Sequence, residues 1–236
     1  MTDKPLTGQL ALVTGASRGI GAATALALAA KGAHVVLTAR TTGGLEEVEE
    51  AIHANGGSAT IAPLDLIDGD SIARLADAIA GRWNALDIMV LNAAALGTLG
   101  AVPAIDQKEL ARILALNVSA QGALIGAFDP MLRRSTRGRV IGLTTHVARA
   151  ARAYWGVYGA TKAAFEVLLQ AYGDEVSGIS PIRVALVDPG ATRTKMRARA
   201  YPGEDPASVK APEVVGDFIA DLAVSDFANG HFAKID

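Results

Sequence analysis

Short apolar runs rich in β-branched residues alternate with longer segments of helical period along almost the whole of this chain. That alternation constrains the fold more than any other feature. Strand, helix and strand in repeated succession give a parallel sheet with helices packed on both faces. The strand candidates are Leu10–Thr14, His34–Thr38, Ser58–Pro63, Ile88–Leu91, Arg139–Thr144, Arg183–Val187 and Phe232–Ile235. They predict one doubly wound, seven-stranded parallel α/β sheet.

Between the strands, Gly21–Lys31 reads as a helix of small residues. Leu45, Val48 and Ile52 recur at helical spacing among glutamates. Ile72, Leu75, Ala76 and Ile79 form a similar stripe within Ser71–Trp83, with Asp68 or Asp70 available as its cap. Gln107–Leu132 and Tyr158–Val176 supply two longer, more apolar helices, the first expected to be disturbed near Pro130 because proline lacks the amide donor. Thr192–Pro212, with three prolines and the basic run Arg193, Lys195, Arg197 and Arg199, reads as a mobile flap or surface loop.

At 236 residues, with no linker-like stretch, a single domain over 1–236 is expected. A formal net charge of −2 supplies no excess of cations for phosphate-backbone binding, so nucleic acid is not an expected partner. The absence of cysteine and the scatter of the four histidines exclude thiolate chemistry and predict no protein-bound metal. Met1–Pro5 lacks a leader's basic start, and uninterrupted apolar stretches such as Ala22–Ala30 fall short of the roughly 20 residues a membrane span needs. A soluble, cytoplasmic protein without membrane association is therefore expected.

The first strand runs into Thr14-Gly15-Ala16-Ser17-Arg18-Gly19-Ile20-Gly21 and then a helix. A strand, a glycine turn and a helix N-terminus present unpaired amides and the positive end of a helix dipole to an anion. Gly15 permits the tight turn, while Gly19 and Gly21 permit close approach of backbone to ligand and of helix to sheet. No P-loop lysine follows, which disfavours ATP hydrolysis.

Thr14 to Gly21 resembles the cofactor motif of the short-chain dehydrogenase/reductase family. That resemblance implies a Rossmann domain, with a cofactor half of about 1–95 and a catalytic and substrate half of about 96–236 that includes the flap at 192–212. It also implies a nicotinamide dinucleotide, held in part by Gly15, Ser17, Arg18, Gly19, Ile20 and Gly21. The second strand ends in Thr38-Ala39-Arg40 with no carboxylate for the ribose hydroxyls of NAD. Arg40, with Arg18 and Ser17, suits a 2′-phosphate, so NADP(H) is the preferred cofactor, with NAD(H) left open. Asp65 and Leu66, after the third strand, resemble the family's adenine contact. Asn92-Ala93-Ala94 resembles its N-A-G segment, with Ala94 in place of the glycine. As alternatives, Asp65 is a turn former and Asn92 a structural side chain.

Tyr158-Gly159-Ala160-Thr161-Lys162 places a phenol and an ammonium at i and i+4 on one helical face. A free tyrosine, with a pKa near ~10, carries protons poorly at neutral pH, and a nearby cation favours its phenolate. In the family such a tyrosine is the general acid or base. The resemblance makes Lys162 the ligand of the nicotinamide ribose and the group that biases Tyr158 downward. Asn117 matches the family's asparagine that shapes a helix and supports a proton path. Thr145 stands where the family usually has serine, keeping the hydroxyl but adding a methyl. Its neighbours Thr144 and His146 are expected to point elsewhere.

Asp188-Pro189-Gly190-Ala191-Thr192-Arg193-Thr194 resembles the segment that closes over the nicotinamide, making Pro189, Gly190, Thr192 and Thr194 further cofactor contacts. The implied activity is hydride transfer between NADP(H) and a carbonyl or alcohol of a small molecule. A catalytically silent dinucleotide-binding sensor or scaffold is the alternative. Arg149, Arg152, Tyr154, Trp155 and the basic flap suggest an apolar substrate with an anionic group, against the alternative of arginines solvated at a cleft rim. The resemblance also implies a homodimer or homotetramer.

Overall fold

The computed structural model describes residues 4–236; Met1 to Asp3, part of the N-terminal segment read for a leader, lie outside the described residues. The elements run β1 (Leu10–Thr14), α1 (Gly19–Ala30), β2 (His34–Ala39), α2 (Thr42–Ala54), β3 (Ser58–Pro63), α3 (Gly69–Ala80) and β4 (Ile88–Leu91). They continue with α4 (Gln107–Leu114), α5 (Ala120–Arg134), β5 (Arg139–Leu143), α6 (Gly156–Val176), β6 (Arg183–Asp188), α7 (Lys195–Ala200), α8 (Pro212–Val224) and β7 (His231–Lys234). All seven strands are parallel in one sheet of order β3-β2-β1-β4-β5-β6-β7. The order reverses between β1 and β4, and the crevice beyond their carboxyl ends is where open sheets of this kind take ligands.

Strand alternation sorts the core into two layers. Ala11, Val13, Val35, Leu37, Ile88, Val90, Ile141 and Leu143 face α1, α2 and α8. Leu12, Val36, Met89, Leu91, Val140 and Val184 face α3, α5 and α6. The stripes Leu45, Val48 and Ile52 of α2 and Ile72, Leu75, Ala76 and Ile79 of α3 are buried as their spacing predicts. Asp68 occupies the N-cap position of α3, but its side chain makes no capping bond and instead pairs with Arg74.

The helix expected over Gln107–Leu132 is interrupted elsewhere than predicted. A five-residue π turn, Ala115–Ser119, separates α4 from α5, while Pro130 sits inside α5, which continues to Arg134. Phe128, Met131 and Leu132 are buried around the proline, so packing holds the helix where one amide bond is lost. At the π turn the cause is Asn117, whose side chain bonds outside its own helix, as described below. Gln107–Arg134 taken together is 28 residues long and, by length and composition, apolar enough to cross a membrane, although charged and polar residues interrupt it. Leu124, Phe128 and Leu132 of this run pack into the sheet's core.

The segment read as an irregular flap is more ordered than expected. It contains α7 and a short 3-10 turn at Pro206–Ser208. Thr192 pairs with Lys210, which closes the segment at its base.

Candidate active site

Gly15 and Gly19 have φ of +67° and +58°, the left-handed region that glycine enters at no steric cost. A Cβ on Gly21 would stand 2.3 Å from the carbonyl oxygen of Gly15, so α1 can start this close to the turn only without a side chain there. Arg18, at the N-cap of α1, is extended and offers no side-chain cap, which leaves the first amides of the helix facing outward. Ala16 N donates to Thr38 O at 3.1 Å and ties the turn to β2.

Asn92 buttresses the turn from β4: its Nδ2 donates to Thr14 O at 2.8 Å and Gly15 O at 3.3 Å. Thr14 Oγ1 accepts from the amides of Asn92 and Ala93, both at 3.0 Å. The side-chain amide of Asn92 is thus committed to shaping the turn. Gln121 Nε2 donates to Ala93 O, and Asn117 holds Ala95, so Ala94 lies between two fixed neighbours.

Arg18 and Arg40 are exposed, and neither forms an ion pair among the described residues. A Cβ on Gly44 would lie 3.0 Å from Ser17 Cβ, so the start of α2 packs directly against the glycine turn. Asp65 is exposed and accepts from Ile67 N at 3.1 Å, the turn-forming alternative in its expected geometry. Leu66 turns its side chain into the core, leaving only backbone for a ligand.

The catalytic candidates meet where β5 ends and α6 begins. Lys162 Nζ donates to Leu143 O at 2.8 Å, and Thr145 lies two residues beyond Leu143 in extended backbone. A Cβ on Gly159 would stand 2.9 Å from Val147 O, so glycine lets the first turn of α6, with Tyr158, press onto the turn that follows Thr145. Asn117 is wholly buried; its Oδ1 accepts from Ala95 N at 2.8 Å, and its Nδ2 donates to Ala95 O at 2.9 Å and Thr161 Oγ1 at 3.0 Å. It sutures the loop after β4 to α6 beside Lys162, and diverts its own helix into a π turn in doing so.

Tyr158 and Lys162 are both buried, which changes the expected electrostatics. Burial pushes the Tyr158 phenol up, with the Asp188 carboxylate adding to the rise. Burial pushes Lys162 down to about 8, partly opposed by the carboxylate of Glu166. The downward bias on Tyr158 expected from Lys162 is therefore not a property of the protein alone. The reason is that the lysine points at a strand carbonyl and both groups pay desolvation.

Thr144 does point elsewhere, its Oγ1 donating to Glu166 Oε1 at 2.5 Å, while His146 is exposed. Arg149, offered above as a reader of substrate charge, is instead held by Glu166 Oε2 at 2.7 Å and lies 3.6 Å over the Phe232 ring. Arg152 bonds the Tyr201 hydroxyl, and Arg197 pairs with Glu204 while lying 3.7 Å over the Tyr201 ring. Three of the arginines assigned to substrate charge thus already have partners.

The flap reaches the rest of the site at two points. Thr194 caps α7 by accepting from Arg197 N at 3.1 Å, and its Cγ2 lies 3.4 Å from where a Cβ on Gly19 would stand. Tyr201 stacks on Trp155 at 5.7 Å, and Trp155 meets Tyr158 edge-on at 6.2 Å. Leu96, Val147, Tyr158, Leu99, Trp155, Met196 and Ala200 form an apolar cluster around the phenol. Tyr154 has φ +70°, and its carbonyl accepts from Gly100 N at 3.0 Å, fixing the loop that carries Trp155. Thr192 is buried, with its hydroxyl donating to Pro189 O at 3.0 Å.

The model of the short chain dehydrogenase family matches residues 9–205 of this sequence. The chain belongs to that family. The dehydrogenase is 35% identical to the uncharacterised oxidoreductase YciK of Escherichia coli K12 over 210 residues, covering 88% of this chain and 82% of that one. A structure described as a short chain dehydrogenase from Pseudomonas syringae superposes with a TM-score of 0.95 at 36% identity, covering 98% of this chain and 96% of that one. One from Escherichia coli CFT073, complexed with NADPH, gives 0.94 at 33% identity and covers 99% of both chains.

Sequence reasoning missed two residues of this dehydrogenase's site. Glu166, on the same face of α6 one turn beyond Lys162, joins Thr144, Arg149 and the lysine's field; its i+4 spacing from Lys162 was the available signal. Tyr201, an aromatic just beyond the flap's basic run, was concealed by the polar residues around it.

Proposed function

We propose that the dehydrogenase interconverts a carbonyl and an alcohol of a small molecule with NADP(H), and that Tyr158 carries the proton. The observation that carries this reading is the suture of β5 to α6. One backbone bond from Lys162 and one close approach at Gly159 hold the helix turn that carries the phenol and the ammonium against the Thr145 segment. The uncapped α1 N-terminus and glycine turn suit the dinucleotide's phosphates, and Arg40, Arg18 and Ser17 suit a 2′-phosphate. The NADPH complex of the Escherichia coli CFT073 relative supports the same assignment. When bound, the dinucleotide supplies the hydride in reduction and accepts it in oxidation.

In reduction Tyr158 donates its proton to the substrate oxygen, and in oxidation it takes the proton back. A phenol held high by burial is a secure proton store, and charge developing on the substrate oxygen is the event that draws the proton off. Thr145 orients that oxygen through its hydroxyl. Lys162 holds the cofactor ribose, and Asn117 acts as a positioning residue through Ala95 and Thr161. Trp155, Leu96, Leu99 and Met196 give the substrate an apolar wall. We read the chain as one domain, with its cofactor half over about 1–95. We assign the outer faces of α5 and α6, on which Val167 is 66% exposed, to assembly of a homodimer or homotetramer.

The test is NADPH oxidation with a panel of ketones and aldehydes, using wild type and Tyr158→Phe. Turnover that falls by at least about a thousandfold in the variant, with NADPH affinity kept, is the expected result. Binding without turnover across the panel would favour the silent sensor or scaffold, and absence of binding would overturn the reading of the glycine turn.

A further inference from the structure

At the end of the sheet opposite Tyr158, β5 and β6 begin with Arg139 and Arg183, which are direct register partners in the parallel ladder. Partners of this kind project to the same face, and like charges so placed repel. Arg137, two residues before Arg139, joins them: all three line one open cleft of about 410 Å³ together with Thr136, Pro181 and Asp226. This cleft lies roughly 13 Å along β5 from its catalytic end, at ~3.3 Å per residue.

Arg139 is only 3% exposed, and its buried Nε has no hydrogen-bond partner among the described residues. Its nearest carboxylate is Asp226 at 3.7 Å, itself 92% exposed. The remaining bonds of the cluster go to neutral carbonyls. Arg137 Nη2 donates to Ser225 O at 2.8 Å and to Val224 O, Arg139 donates from Nη1 to Gly138 O at 3.1 Å and from Nη2 to Ser225 O at 3.3 Å, and Arg183 Nη1 donates to Ile182 O at 3.1 Å. The Arg137 and Arg139 bonds cap the end of α8, whose dipole offers a partial negative charge but no full carboxylate. Among the described residues the three guanidinium groups thus share one solvent-exposed carboxylate, and burial with Arg137 nearby pushes Arg139 down to about 10.

We infer that the cleft formed by Arg137, Arg139 and Arg183 is a second ligand site, separate from the active site, for a small multivalent oxyanion such as phosphate, pyrophosphate or a phosphate ester. Arg137 and Arg183, both half-buried, would supply forked donors at the rim, with Arg139 as the charged floor. The bound anion would relieve the repulsion across the β5–β6 ladder and so stabilise the fold by mass action.

The test is calorimetric titration of the intact protein with pyrophosphate at matched ionic strength, for wild type, Arg183→Gln, Arg137→Gln and Arg40→Ala, each checked for native circular dichroism. Whatever pyrophosphate binds at the glycine turn should be displaced by saturating NADPH, and a second event should persist under NADPH and in Arg40→Ala and weaken at least about tenfold in Arg183→Gln and Arg137→Gln. In the wild type, pyrophosphate should also protect Arg137 and Arg183 from phenylglyoxal, mapped by mass spectrometry, which needs no variant to fold. Binding no stronger than that of chloride, equal binding in the Gln variants, loss only in Arg40→Ala, or absence of protection would each overturn the inference.

Discussion

Replacing Lys162 by Met isolates the cost of burying an ammonium on the catalytic helix. The lysine is 3% exposed and its pKa falls from an ordinary 10.5 to about 8, chiefly by desolvation. The sign follows from linkage. Below about pH 8 the folded protein holds the lysine charged at full cost. Between about pH 8 and 10.5 the folded state has released the proton while the unfolded chain still binds it, so wild-type stability rises with pH. At ~1.36 kcal/mol per pKa unit the full rise is about 3 kcal/mol. The Met variant lacks it. Groups common to both proteins, Tyr158 and Glu166 among them, cancel to first order in the difference. Urea unfolding followed by circular dichroism at pH 7, 8, 9 and 10 measures that difference. Wild type should gain about 2–3 kcal/mol on Lys162→Met between pH 7 and pH 10. Parallel stability curves across that range would refute the account of Lys162 as a buried cation whose desolvation Glu166 offsets only in part.

Arg40→Ala should weaken NADPH binding by roughly 10- to 100-fold, the worth of a charge-assisted contact, and leave NADH binding within about twofold; fluorescence titration of both cofactors checks it. Thr145→Ser should retain turnover within about tenfold, whereas Thr145→Val, which keeps the branched shape but removes the hydroxyl, should lower kcat/KM by about 10²-fold in steady-state assays. Gly142→Ala should destabilise the protein by about 1–3 kcal/mol by overpacking. Its Cβ would stand 2.4 Å from Leu169 Cδ2 and 2.7 Å from Phe165 Cζ, between β5 and α6, and thermal unfolding reads the loss.

Features that depend on local period and on residue type are legible in the chain before it folds. All seven strands lie where β-branched runs predicted them, with ends shifted by no more than a residue or so, because period-2 and period-3.6 patterns are local statements about which side of a chain is apolar. The glycine turn was equally legible, since positive φ at Gly15 and Gly19 is a requirement written in residue type. The tertiary structure decided what depends on neighbours distant in the chain. The helix break at Asn117 rather than Pro130 comes from bonds to Ala95 and Thr161, 22 and 44 residues away. The placement of Arg149 on Glu166 and Phe232, the stacking of Tyr201 on Trp155, and the ladder partnership of Arg139 with Arg183 have the same origin. The electrostatics of the Tyr158–Lys162 pair turn on burial. Spacing alone says that two side chains share a helical face, but only the packed fold says how much water remains there to solvate their charge.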